Sequence, residues 1–330
     1  MKKFFLLCLL LITTNTHATQ ILKSESQIDY FSIKAKCMST KSDWNKQGSL
    51  IFTEYKFIDQ ETGEEVSLKK LGGKVGDIEL VVPDLPDFEV GSEYLLSLTK
   101  NEQNSEPILE DLEPFNTTNI QPLNITALPV SGTFVFARWD NIPVDFRVDP
   151  GTLGGGNGMT IIQQACSTWN SINNAPDICG NLTLGATNIT GSNFDSIARP
   201  DDGINDVIFD EDGTIISSLG GSPNTTLGIG GFFQATTSGE ILDGFIVLNG
   251  TTTQGDFLAT AVHELGHVWG IGHTAVGMVN DFSGEPGLDP IDISRLPTMY
   301  PFSNPLDDAF GRTLEPDDIA AFITLYGTNQ

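Results

Sequence analysis

Apolar residues recur at every second position over Phe31, Ile33, Ala35 and Cys37, and again over Ile51, Thr53, Tyr55 and Phe57. A period of two predicts half-buried strands. Turn-forming clusters at Asp59–Gly63, Leu71–Gly73 and Pro83–Pro86 separate these runs from further apolar stretches at Ile78–Val82 and Tyr94–Leu98. The pattern predicts a small all-β sandwich or barrel over residues 19–105. Over 106–131 it dissolves: Pro107, Pro114, Pro122 and Pro129 stand among Asn, Thr and Glu, the composition of a linker.

From residue 132 to 330 the periods mix, which predicts one α+β domain. Phe134–Phe136 and Val144–Val148 read as strands, as do Asp206–Phe209 and Gly244–Leu248. A glycine-rich loop, Gly151–Gly158, leads into a helix with Ile161, Ile162, Ala165, Trp169 and Ile172 on one face. No Gly-Lys-Ser/Thr follows the loop, so it is not a phosphate cradle. A second helix is predicted from Asp256 to Trp269, with Leu258, Ala261, Val262, Leu265 and Val268 apolar. A last one opens at Pro316 with Asp317 and Asp318 at its positive end. Its predicted buried face is Ile319, Phe322, Ile323 and Tyr326, and Gly327 ends it.

The first residues follow a different logic. Lys2 and Lys3 precede an apolar run, Phe4–Ile12, and small residues stand at Thr16 and Ala18. The run is shorter than the ~20 residues that span a bilayer. Residues 1–18 therefore read as a cleaved signal peptide, which predicts export to the medium, with the periplasm as the alternative. The chain has 17 basic and 43 acidic residues, a net charge of −26. Such a surface repels nucleic acid and anionic membranes, so neither is an expected partner; a monomer is expected. Cys8 leaves with the leader. Cys166 and Cys179 are close enough in sequence to close a short disulfide loop in an oxidising compartment. Cys37 is left over, either a buried small apolar residue or a thiolate able to cap a metal.

The chemistry concentrates at residues 263–273, His-Glu-Leu-Gly-His-Val-Trp-Gly-Ile-Gly-His. Histidines four apart on a helix differ by about 40° in direction, so His263 and His267 can grip one ion. Gly270 can take a positive φ, stop the helix and return the chain to deliver His273. Three imidazoles leave a fourth tetrahedral position for water, the arrangement of a catalytic zinc site. Glu264 points elsewhere on the helix and is placed as the general base for that water. The chain has four histidines; His17 lies in the leader, and the other three are all in this segment.

The motif resembles the long zinc signature of the metzincin metallopeptidases. Thr298-Met299-Tyr300-Pro301 resembles the methionine turn of the matrixin branch, and Leu314–Gly327 is similar to the matrixin C-terminal helix. Residues 239–249 resemble the edge strand that bounds the substrate cleft. The resemblance spans about 132–327. It implies a zincin-like domain, a twisted mixed sheet with three helices, that hydrolyses extended polypeptides, with Met299 as a packing floor beneath the ligands. The short, lysine-led leader resembles those of bacteria. Several features depart from the family. Pro301 stands where some members place a metal-binding tyrosine, Ser303 stands where many matrixins place a pocket tyrosine, and the cysteine latency motif is absent.

Two secondary expectations follow. Asp201, Asp202, Asp206, Asp210 and Asp212 form either a solvated acidic loop or an oxygen-rich calcium site; the resemblance favours structural calcium. The alternative to an endopeptidase is a catalytically inactive zinc-binding surface or adhesion protein on the same scaffold, against which the presence of Glu264 argues. The β-rich segment is expected to be retained in the mature protein. Mass spectrometry of the secreted chain should therefore return the mass of residues 19–330; a product beginning near 132 would show a removed propeptide instead.

Overall fold

The computed structural model describes residues 29–85, 87–100, 112–114, 136–153, 158–194, 202–252, 256–273, 297–300 and 311–327. The expected signal peptide, Asp201, Pro301, Ser303 and nearly all of the expected linker lie outside them.

The alternating N-terminal pattern builds long antiparallel strands. β1 (Asp29–Trp44) pairs with β2 (Ile51–Asp59), which pairs with β3 (Glu65–Leu71). On its other side β1 pairs with β6 (Glu93–Lys100), and β6 with β7 (Leu112–Pro114). The five-stranded order is β3-β2-β1-β6-β7. Ala35, Cys37, Tyr55, Phe57, Val66, Leu68, Tyr94 and Leu96 bury its inner face, and Phe88 packs edge-on against Tyr55, Phe57 and Tyr94. The expected sandwich or barrel is instead a single sheet, because two strands of the same segment leave it. β4 (Gly73–Val75) and β5 (Ile78–Val81) join the second sheet.

That second sheet has seven strands in the order β4-β5-β11-β12-β10-β8-β9. β8 (Val144–Val148), β9 (Cys179–Leu184), β10 (Asn205–Asp210) and β12 (Ile241–Asn249) are parallel neighbours, whereas β11 (Gly228–Ala235) runs antiparallel to both β12 and β5. The chain is thus α+β with a mixed second sheet. Residues 239–249 do not form its edge: β12 lies between β11 and β10, since its run of buried residues suits an interior position.

Helices cover one face. α1 (Gly158–Asn170) and α3 (Phe257–Val268) pack together, with Trp169 Nε1 donating to Val262 O at 2.9 Å. α4 (Pro316–Tyr326) sets Phe322 against Trp169 and donates from Tyr326 Oη to Trp269 O at 2.9 Å. Its buried face is Ala321, Phe322, Leu325 and Tyr326, one step round from the expected stripe, and Ile323 is exposed. A fourth, short helix, α2 (Thr214–Leu219), was not legible as a periodic run. It covers the opposite face, where Ile208, Ile215, Ile216, Leu219, Ile229 and Phe233 meet Leu50, Ile51, Leu71, Leu80, Val82 and Leu85 from the N-terminal segment. The two halves share this core.

Charge is also buried here. Arg147 on β8 holds Asp206 on β10 through two bonds of 2.7 and 2.8 Å. Asp243 on β12 is buried, with no partner for Oδ2 among the described residues. Burial, then the charges of Asp202 and Asp206, push its pKa up to about 9. A carboxyl with a folded-state value above its unfolded value of about 4 stabilises the fold while protonated. That contribution is lost as pH rises from about 4 through about 9. Chemical denaturation across that range should show a smaller fall for Asp243→Asn than for wild type, with the variant the more stable at pH 8. Parallel curves would refute this.

Candidate metal centre

Helix α3 begins where Asp256 Oδ1 accepts from Leu258 N at 2.8 Å and Ala259 N at 3.1 Å, a cap worth about 1 kcal/mol. Ala261, Val262, Leu265 and Val268 are buried, which fixes the helix's rotation and turns His263 and His267 to one side. Gly270 has φ +83, and a Cβ there would lie 2.4 Å from Ala137 O. This bend ends the helix and brings His273 back. Nε2 of His263 and His267 are 3.1 Å apart, those of His267 and His273 3.2 Å, and those of His263 and His273 3.3 Å. Ligands about 2.0–2.1 Å from a tetrahedral ion stand about 3.3–3.4 Å apart. Nδ1–H of His263 donates to Thr298 O at 2.6 Å and that of His267 to Ile271 O at 2.8 Å, which leaves both Nε2 lone pairs facing inward. Three ring nitrogens this close, two of them with lone pairs fixed inward, repel one another unless a cation lies between them, so the donor set fits a metal.

A fourth side chain completes the group. Asp84 Oδ1 lies 3.0 Å from His273 Nε2, 3.1 Å from His267 Nε2 and 3.7 Å from His263 Nε2. Asp84, His263, His267 and His273 together could hold a metal ion. Asp84 was not foreseen: it sits in Pro83–Pro86, a segment that reads as turn chemistry, and no local pattern says what lies across from it. Three contacts deliver it. β5 pairs with β11, Gly230 N donates to Asp84 Oδ2 at 3.3 Å, and Lys70 Nζ donates to Leu85 O at 3.0 Å and to Asp87 Oδ1 at 2.5 Å. Tyr55 Oη donates to the same Asp87 oxygen at 2.8 Å.

The alternative of a Cys37 cap is overturned. Cys37 is buried in the core of the first sheet, opposite Phe57 in the β1–β2 register, and burial pushes its thiol pKa up, away from the thiolate that a metal requires.

Glu264 is buried beside the three histidines, and its Oε2 has no hydrogen-bond partner among the described residues. Burial, and after it the nearby charge of Asp84, raises its pKa well above the ordinary glutamate value. Its approach to β11 depends on glycine: a Cβ at Gly230 would lie 2.6 Å from Glu264 O and 2.9 Å from Oε2. Met299 is fully buried against α3, where a Cβ on Gly266 would meet its Sδ at 2.2 Å. The turn that carries Met299 is pinned by Asp318, which accepts from Thr298 N at 2.8 Å, Met299 N at 3.1 Å and Glu315 N at 2.9 Å. Sequence reading placed Asp318 only as a favourable charge at the start of the last helix.

The acidic run 201–212 is not gathered into an oxygen shell in the described residues. Asp206 is taken by Arg147, Asp210 accepts from Ile216 N at 2.7 Å, Asp212 caps Thr214, and Asp202 accepts from Ile204 N. Each of these four carboxylates accepts from a local donor, and Asp201 lies outside the described residues. Cys166 and Cys179 are joined in a disulfide, with Cα atoms 5.5 Å apart.

No protein-family model matches the chain, and no curated protein matches it either.

Asp318→Ala leaves three buried amides without an acceptor and should cost roughly 3 kcal/mol of stability. It should also weaken metal retention, because Thr298 O orients His263. Thermal melts with and without chelator check both; a metal affinity equal to that of wild type would dissociate the turn from the centre.

Proposed function

We propose that this chain is an exported zinc-dependent endopeptidase with a metzincin, matrixin-like catalytic domain. The observation that carries the reading is the convergence of three Nε2 atoms, with the buried carboxyl of Glu264, whose Oε2 has no partner among the described residues, beside them. Three imidazoles and one further oxygen at tetrahedral spacing favour zinc over harder or square-planar ions. The metal would supply a Lewis acid that acidifies water and polarises an amide carbonyl.

The chain's own groups do the rest. Glu264 removes a proton from the attacking water and passes it to the amide nitrogen as the C–N bond breaks. Second-sphere carbonyls of Thr298 and Ile271 hold the two helix imidazoles in the correct tautomer. The substrate in this reading is an extended polypeptide that binds by strand pairing. The disulfide supports an oxidising destination, in keeping with the leader-like first 18 residues. Among the described residues, no helix is long and apolar enough to cross a membrane.

A second reading has one observation in its favour. With Asp84 in place the site has four protein ligands, the closed set of a structural zinc. On that reading the chain is an inactive zinc-bearing surface protein.

The two part on activity once the fourth position is open. In an Asp84→Ala background the chain should carry one zinc and cleave casein in a chelator-sensitive manner. Adding Glu264→Gln should cut the rate by about 10²–10⁴-fold, the usual contribution of a general base, with zinc retained. Failure to hold stoichiometric zinc, or identical rates with and without Glu264, would sink the endopeptidase reading.

A further inference from the structure

We propose that Gly228 is a positioning residue for Glu264: the missing side chain at this place in β11 sets where the glutamate carboxyl rests beside the three imidazoles. The inference rests on the endopeptidase reading and adds to it a residue that acts through the base.

Gly228 and Gly230 are two apart on a strand and so face the same side, toward α3, while Ile229 between them enters the core on the other face. Neither has a positive φ, so the backbone there accepts any residue. Glycine inside a strand costs stability, and its use there marks a close approach. The approach is that of Glu264. A Cβ on Gly228 would lie 2.7 Å from Glu264 Oε1, 2.9 Å from Glu264 Cγ, and 2.8 Å from Cγ2 of Thr260 one turn earlier. A Cβ on Gly230 would lie 2.6 Å from Glu264 O and 3.1 Å from Glu264 Cα. Ordinary contacts between heavy atoms are about 3.5–4.0 Å, so a methyl at either position displaces what it meets.

What the two methyls meet is different. Gly230 faces the backbone of α3 at the residue that follows His263, so it sets the spacing of helix from sheet and with it the placement of the imidazoles. Gly228 faces the far end of a flexible side chain, which gives way while the helix stays. Glu264 Oε2 has no hydrogen-bond partner among the described residues, so at that oxygen the surrounding surfaces, rather than a bond, fix the pose. Thr260 is one of those surfaces: its Oγ1 donates to Asp256 O at 3.0 Å, which holds Cγ2 against Gly228. A methyl at 228 therefore swings the carboxyl away from its resting place and leaves the three histidines where they are. A reacting group misplaced by about 1 Å costs on the order of 10²-fold in rate.

The test takes the full-length Asp84→Ala chain, loaded with zinc, as the parent. Gly228→Ala and Gly230→Ala are made in it, and Gly228→Ala is made again beside Glu264→Gln. Gly228→Ala should lower kcat on a casein peptide by about 100-fold with KM unchanged, as expected when only the transition state loses an interaction. It should still hold one zinc, and its cobalt-loaded form should keep the parent's absorption spectrum. Beside Glu264→Gln the same alanine should cost less than about threefold more, because no base is left to misplace. Gly230→Ala should instead melt lower and surrender its zinc to chelator more readily. If the Thr260 methyl keeps Gly228→Ala from folding, Gly228→Ala/Thr260→Ser, which lacks that methyl, takes its place. An unchanged kcat in Gly228→Ala, or the same loss with and without Glu264, overturns the positioning role. So does a loss of zinc in Gly228→Ala, which would show that the residue acts through the helix. In each of those cases an active parent leaves the endopeptidase reading standing; a parent that does not cut the peptide brings down both.

Discussion

The centre depends on a constraint that lies outside it: two backbone carbonyls fix the histidine rings. Thr298 O and Ile271 O accept the Nδ1 protons of His263 and His267 and so decide which nitrogens are free to face inward. Each carbonyl has its own support. Ile271 follows the bend at Gly270, and Thr298 belongs to a turn that hangs on the carboxylate of Asp318. Helix α4, the turn that carries Met299 and helix α3 are therefore mechanically one unit. Met299, pressed against Gly266, fills the space between them.

The N-terminal segment is bound into this unit more deeply than an appended domain would be. It contributes two strands to the second sheet, six buried aliphatic side chains to the shared core, and one carboxylate to the metal group. Burying a large aliphatic side chain is worth about 1.5–3 kcal/mol, so losing this segment would expose a substantial apolar face on Ile229, Phe233 and their neighbours. The same contacts that seat Asp84 also build the core that both halves share.

Local rules carried the helices and most strands. Periodicity located β2, β8, β10, α1 and α3 to within a few residues, because each buries one face against a continuous core. It located neither β11 nor α2. The residues Gly228–Ala235 are apolar or glycine almost throughout and have no period, since the strand is buried on both faces and must admit Glu264 closely. The stripe of α4 was misplaced by one position because Ile323 and Leu325 are equally apolar in sequence, and only packing against Trp169 and Trp269 chooses between them.

The sequence by itself determined the three histidines, the glutamate beside them, the glycine bend and the paired cysteines. All lie within a few turns of chain, where helical geometry and loop closure translate spacing directly into position. Tertiary structure alone decided the fourth group. Asp84 is 179 residues before His263, and nothing between them encodes the meeting except strand pairing of β5 with β11 and a core built jointly by both halves. Tertiary contact likewise withdrew Cys37 from the metal chemistry, because its thiol is buried in the core of the first sheet.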